Sequence, residues 1–159
     1  MTGDPLPTGP TRQPPGPVGR WFARAPRYLY RAGLGRLLGE RFVLIEHIGR
    51  KSGLTRETVV EVIGRDQAFL EVAAAWGTES DWYRNIVANP DVLLSTGRRR
   101  RLVATAEIVG SAEAADVFAR YRQRHPRAAR ALGKTLGLPM DDEAAMAAAV
   151  PVVRFSFGP

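Results

Sequence analysis

Phe42-Val43-Leu44-Ile45-Glu46-His47-Ile48, then Gly49-Arg50-Lys51-Ser52-Gly53, then Thr58-Val59-Val60-Glu61-Val62-Ile63, is the stretch from which the fold is read. Both flanking runs are rich in β-branched residues, and the piece between them is bounded by glycines, which free the backbone to turn. Together they predict a β-hairpin. The second run stops near Gly64-Arg65-Asp66, and Ala68 to Ala75 follows at once as a third strand. Val92 to Ser95 and Leu102 to Val109 predict a further pair around Thr96-Gly97, and Pro151 to Phe157 reads as a last strand. Such short connections favour antiparallel neighbours.

Helical signals fill the gaps. Ser80 to Ala88 predicts a short helix with Ser80 or Asp81 as N-cap and Asn89-Pro90 as its stop. Ser111 to Arg124 is a second, Pro126 at the first position opens a third that Gly137 can close, and Asp141 to Ala149 is a fourth. The trio Asp141-Asp142-Glu143 puts favourable charge at that helix's N-terminus. The predicted class is α+β: a closed or split β-barrel of about six mostly antiparallel strands with peripheral helices.

Upstream, residues 1–17 hold Pro5, Pro7, Pro10, Pro14, Pro15 and Pro17 with Gly3, Gly9 and Gly16, and are expected to form a disordered tail. Residues 18–159 then make a single domain, a usual size for one core. Its first part, residues 18–40, interleaves Trp21, Phe22, Tyr28 and Tyr30 with Arg20, Arg24, Arg27, Arg31 and Arg36. That pattern is a broken amphipathic helix, which either caps the barrel or makes weak contact with an anionic membrane surface.

Composition narrows the chemistry. The chain has no cysteine, which removes disulfides, thiolate metal sites and Cys nucleophiles, and its two histidines, His47 and His125, are too few for a zinc site. No metal is expected. No apolar run approaches the roughly 18 to 20 residues of a membrane span, and no secretory signal is read, so the expected location is cytoplasmic, with the inner face of the membrane open through residues 18–40. The formal charge of +7 calls for an anionic partner: nucleic acid, a membrane surface or a polyanionic small molecule.

Gly49-Arg50-Lys51-Ser52-Gly53 with Arg56 is the strongest local signal. Glycines let backbone amides approach a ligand, Lys51 and Arg56 are cationic donors, and Ser52 adds a hydroxyl, a set suited to phosphate or carboxylate. It is not a Walker A loop, because Arg50 stands where Gly must precede the Lys and a strand follows in place of a helix. A solvated hairpin turn is the alternative. Ala73-Ala74-Ala75-Trp76-Gly77 leaves room for a flat ring against a strand end, and Trp82 and Asn85 stand one helical turn apart; a core helix with a buried Trp is the alternative there. Arg98-Arg99-Arg100-Arg101 has no aromatic interleaving and no nucleic-acid motif beside it, so a solvated hairpin is preferred to a specific nucleic-acid surface. His47 reads as a satisfied strand histidine and His125 as a helix N-terminal residue, and no nucleophile, general base or proton donor is identified.

In this order and spacing, Ile48 to Gly53 with Arg56, Val72 to Gly77, and Asp81-Trp82-Tyr83-Arg84-Asn85-Ile86-Val87-Ala88-Asn89-Pro90 resemble the deazaflavin-dependent nitroreductase family. The resemblance is strong from about Arg41 to Ser95 and looser beyond. It implies a split barrel related to flavin reductases, carrying coenzyme F420, an 8-hydroxy-5-deazaflavin with a phosphodiester and an oligoglutamate tail. FMN, without that tail, is expected to bind less well. Lys51, Ser52, Gly53 and Arg56 would meet the anionic part, Ala73, Ala74, Ala75, Trp76 and Gly77 would lie beside the ring, and Trp82 and Asn85 would complete the wall. The implied activity is hydride transfer from the reduced coenzyme to a small electron-poor acceptor, a quinone, an enone or a nitro compound; the alternatives are a non-catalytic binder of a flavin-like coenzyme and a basic nucleic-acid-binding domain. The chain has Ala75 where some members carry a hydroxyl residue and Glu61 where some carry an aromatic, which leaves the acceptor open, as is the oligomeric state.

Overall fold

A computed structural model of the chain describes residues 39–139 and 141–158. The expected tail and nearly all of the basic amphipathic segment, residues 1–38, lie outside the described residues, so neither the tail nor the membrane contact is addressed by it.

Six strands close into one barrel: β1 (Phe42–Ile48), β2 (Thr55–Arg65), β3 (Phe69–Ala73), β4 (Asp91–Thr96), β5 (Arg99–Ile108) and β6 (Val152–Phe157). Around the barrel the order is β1-β2-β3-β6-β5-β4, with β4 returning to β1. Every pair is antiparallel. Closure leaves no edge to pair with other chains. Four helices complete the described part: α1 (Asp81–Ala88), α2 (Ser111–Arg124), α3 (Pro126–Leu136) and α4 (Glu143–Ala149).

Strand periodicity divides the apolar residues between two cores. Val153, Phe155 and Phe157 of β6 fill the barrel with Val43, Ile45, Val62, Leu70, Val72 and Leu94, and Tyr83 and Ile86 of α1 join them. Val152, one residue out of phase, turns outward and packs with Ile63 against Val117, Phe118 and Tyr121 of α2, Ala129 of α3 and Met146 of α4. So α1 belongs to the barrel core while α2, α3 and α4 clad the outer wall.

Across β3 and β6, Glu71 faces Arg154 in register. Glu71 is 1% exposed, and Arg154 Nη2 bridges its Oε1 at 2.5 Å and Glu113 Oε1 of α2 at 2.5 Å. Arg120 of α2 lies 3.8 Å from the other carboxylate oxygen. This outward-facing network fastens α2 to the barrel. A Cβ at Gly64 would collide with Glu71 Oε2, so β2 carries glycine where the carboxylate needs the space.

Several boundaries differ from the sequence reading. β2 begins at Thr55, three residues early, because β1 pairs with it down to Ile48 opposite Thr55. β3 stops at Ala73: Ala74 N–H still donates to Pro151 O, but Gly77 N–H turns back to Ala74 O and takes the chain out of the sheet. The arginine run forms the start of β5, with Arg101 in the left-handed region (φ 49°) beside a register shift. Its side chains are exposed; Arg101 bridges Glu46 at 2.5 Å and Arg99 lies over the Phe157 ring, which ties two of the four to the barrel itself. At α4 the expected acidic start holds, with Asp142 accepting from Ala145 N–H at 2.9 Å.

Candidate functional site

The turn between β1 and β2 is closed by its own backbone. Gly49 N–H donates to Leu54 O at 2.8 Å, Gly53 N–H to Gly49 O at 2.7 Å, and Leu54 N–H to Ser52 Oγ at 3.3 Å. Gly53 sits at φ 66°, a conformation that penalises any Cβ. Ser52 Oγ accepts from Leu54, so its own proton remains free to donate outward. Lys51, Ser52, Gly53 and Arg56 are all exposed at this end of the barrel. Among the described residues neither Lys51 nor Arg56 has a carboxylate partner, and the Lys51 N–H has no acceptor.

Arg50, which the sequence reading did not single out, is engaged instead. Its guanidinium bridges Asp81 Oδ1 at 3.0 Å and donates to Asn85 Oδ1 at 3.0 Å, and its backbone N–H donates to the same oxygen at 3.0 Å. Asn85 Nδ2 faces His47 Nδ1 at 3.2 Å. These bonds tie α1 to the turn. Asn85 is therefore a buried hub behind the basic turn. Arg50 is the residue that sequence reasoning missed, and His47 is the satisfied strand histidine expected, with a partner the sequence did not name; the bonds span 31 to 38 positions, and no local pattern announces them.

Ala73 to Gly77 separates by phase. Ala74 is fully buried in the barrel core, whereas Ala73 and Ala75 pack on the α2–α4 side, and Trp76 is half-buried at the start of a short 3-10 turn, Gly77–Glu79. The turn delivers the chain to α1, whose Ser80 cap does not use its hydroxyl on the helix: Ser80 Oγ donates back to Gly77 O at 2.9 Å. Trp82 packs on the barrel core, edge-on to Tyr83 with ring centroids 6.3 Å apart. The small residues, the aromatic pair and the basic turn are thus linked through α1.

Burial first, and the charge of Arg56 second, hold His47 down at about 4 against an opposite pull from Asp81. His47 is consequently neutral near pH 7. The unfolded chain takes up this proton near 6.5, so the contribution is complete above that pH and is lost as pH falls from about 6.5 towards 4. Its size is on the order of 3 kcal/mol. Thermal melts between these limits should show the parent losing stability more steeply than His47→Gln; parallel curves would exclude His47 as the titrating group.

A cavity of about 770 Å³ opens between β2 and helices α2 and α3, lined by Glu61, Gly64, Tyr121, His125 and Arg127 among others. Tyr121 Oη donates to Glu61 Oε1 at 2.9 Å, and Arg41 Nε donates to the same oxygen at 3.1 Å. Burial and the Glu61 charge push the Tyr121 hydroxyl well above its ordinary value, so it stays protonated and committed to Glu61. Glu61 and Ala75 border the same helical layer: Ala75 packs against the cluster that contains Tyr121. Among the described residues no group of three or more His, Cys, Asp or Glu could hold a metal, and no helix is long and apolar enough to cross a membrane.

Residues 21–140 match the family of F420H(2)-dependent quinone reductases. The chain belongs to that family. It is an F420H2-dependent reductase, an oxidoreductase that takes reduced deazaflavin as donor and a small molecule as acceptor. Among solved structures it is similar to an F420-H2 dependent reductase (FDR-A), at 20% identity over 74% of this chain and 96% of that one, with a TM-score of 0.52. A domain-swapped dimer gives 20% identity over 83% of this chain and 100% of that one, TM-score 0.53. The heme storage protein HutZ of Vibrio cholerae gives 12% identity over 82% and 89%, TM-score 0.53. At such identities the likeness is one of fold, and it places the barrel among the split β-barrels. The chain matches no protein of curated function.

Proposed function

We propose that the protein binds F420 with the phosphodiester and oligoglutamate part on the β1–β2 turn and reduces an electron-poor acceptor, a quinone, an enone or a nitro compound. One observation carries the coenzyme half: among the described residues Lys51 and Arg56 stand without carboxylate partners at a glycine-bounded turn whose Lys51 N–H is also unclaimed, while the adjoining Arg50 is engaged through Nη1 by Asp81 and Asn85. Free cations and a free amide at one turn fit a polyanion, and the hydroxyl of Ser52 can donate beside them.

The ring would rest against Ala73 to Gly77, whose partly exposed members are Ala73, Ala75 and Trp76, with Trp82 of α1 completing the wall. When bound, the reduced deazaflavin supplies the hydride. The chain's own work is to bind, orient and keep water from the reacting face. The acceptor's place in this reading is the cavity beside Glu61 and Tyr121, a concave site of a size usual for small ligands. There the Tyr121 proton is fixed on Glu61, so Tyr121 serves as a neutral polar wall and not as an acid.

Steady-state oxidation of the reduced coenzyme with a panel of quinones, enones and nitroarenes tests the reading. Turnover with at least one class is expected, with metal chelators without effect. Tight coenzyme binding without oxidation by any acceptor would overturn the acceptor half. FMN should bind at least about tenfold more weakly than F420, since the contacts at Lys51 and Arg56 to the longer anionic tail are lost. Equal affinities would remove the turn from the site.

A further inference from the structure

His47 has no part in that reading, yet it is a buried polar group placed two residues before the turn. Its surroundings can be deduced from proton counting. An asparagine amide has one accepting end and one donating end, and an arginine can only donate. Arg50 sends both its backbone N–H and a guanidinium N–H to Asn85, so the oxygen end of Asn85 must face the turn. The NH2 end then faces His47 Nδ1 at 3.2 Å, which must accept, leaving the imidazole proton on Nε2. Reversing the amide would set donors against both Arg50 N–H groups and lose two hydrogen bonds at once.

We propose that His47 and Asn85 are positioning residues for the anion-binding turn: the neutral imidazole fixes the Asn85 amide, and the amide anchors the main chain at Arg50 so that Lys51, Ser52 and Arg56 are held ready for the coenzyme. The proposal rests on the turn being the coenzyme's anion site. Neither residue touches the ligand in this scheme. What they supply is preorganisation: a turn already fixed loses less conformational freedom on binding, so its loosening appears as weaker affinity with chemistry intact. Asp81 adds to the same strut through Arg50, but it is exposed and its bridge is screened, so the buried amide is the stronger element.

The test uses the full chain and four readouts. The imidazole nitrogen shifts of the parent should report the Nε2–H tautomer, with Nδ1 unprotonated and hydrogen-bonded; an Nδ1–H tautomer overturns the proposal with no variant needed. In a fluorescence titration with F420, His47→Leu should weaken binding about tenfold, the worth of one net hydrogen bond, and amide exchange at Arg50 should quicken. His47→Gln, whose side-chain oxygen can accept from Asn85 Nδ2, should restore affinity close to the parent's. With saturating coenzyme, kcat should change little in either variant while KM for F420 rises in His47→Leu. Lys51→Ala separates this proposal from the reading beneath it. If Lys51→Ala and Arg56→Ala both bind as the parent does, the turn is not the anion site and both fall. If Lys51→Ala weakens binding while His47→Leu does not, or if a folded His47→Gln fails to restore it, the turn stands and the positioning role is wrong.

Discussion

Replacing Glu71 with Ala is expected to lower the stability of the fold by about 3 to 5 kcal/mol, the cost of removing one partner from a buried ion pair. The carboxylate is 1% exposed, and its oxygens take Arg154 Nε at 3.1 Å and Nη2 at 2.5 Å, with Arg120 further out. Its loss leaves Arg154, mostly buried, with Glu113 as the remaining carboxylate, and half of the tie between α2 and the barrel disappears. For a chain of this size the melting temperature should fall by roughly 10 °C. Gly64→Ala should act on the same network from the other side, since the new methyl displaces the Glu71 carboxylate from Arg154. Because both substitutions break one network, their effects should be less than additive. Replacing Glu71 and Arg154 together by leucine should recover much of the loss, as a buried pair exchanged for apolar groups is often neutral. A Glu71→Ala variant that melts with the parent would show that the ion pair contributes nothing net.

Much of this fold was legible because period-two alternation is local. Val43, Ile45, Val62, Val72, Val153 and Phe155 announce themselves within single strands, and all point into the barrel. Helix ends were legible for the same reason: Pro126 opens α3 and Gly137, at φ 65°, closes it. The ends of β2 and β3 were not. Thr55 and Arg56 join the sheet only because β1 supplies partners for them, and Ala74 and Ala75 leave it only because Gly77 turns the chain.

The candidate site divides in the same way. Lys51, Ser52, Gly53 and Arg56 form one short stretch and could be read as a unit, whereas the roles of Arg50, His47 and Asn85 depend on α1 being laid across the turn from 31 or more positions away. Asn85 could be picked out from its place in α1, but the bonds of its amide to Arg50 and His47 could not. Glu61 and Tyr121 are separated by 60 positions, and only the packing of α2 on β2 brings them together. A carboxylate in that place, read alone, gives no hint that a tyrosine and an arginine compensate it.

Lys51→Ala and Arg56→Ala are each expected to weaken F420 binding by about ten- to a hundredfold, the range that one charge-assisted hydrogen bond of roughly 1.5 to 3 kcal/mol covers. Both side chains are exposed, so screening should draw the effect towards the lower end, and the difference from the parent should shrink as salt is added. The fold should be unaffected. Neither side chain belongs to either core, and the backbone of the turn is closed by Gly49, Ser52, Gly53 and Leu54 without them. Arg50→Ala offers the informative contrast. Its guanidinium is already committed to Asp81 and Asn85, so its removal should loosen the turn and lower the melting temperature as well as the affinity, whereas Lys51→Ala and Arg56→Ala should lower the affinity alone. Fluorescence titrations at two ionic strengths, with melts of the same three variants, separate a ligand contact from a structural one. If Lys51→Ala and Arg56→Ala both retain the parent's affinity at low salt, the turn is a solvated hairpin, and the coenzyme's anionic part lies elsewhere on the barrel.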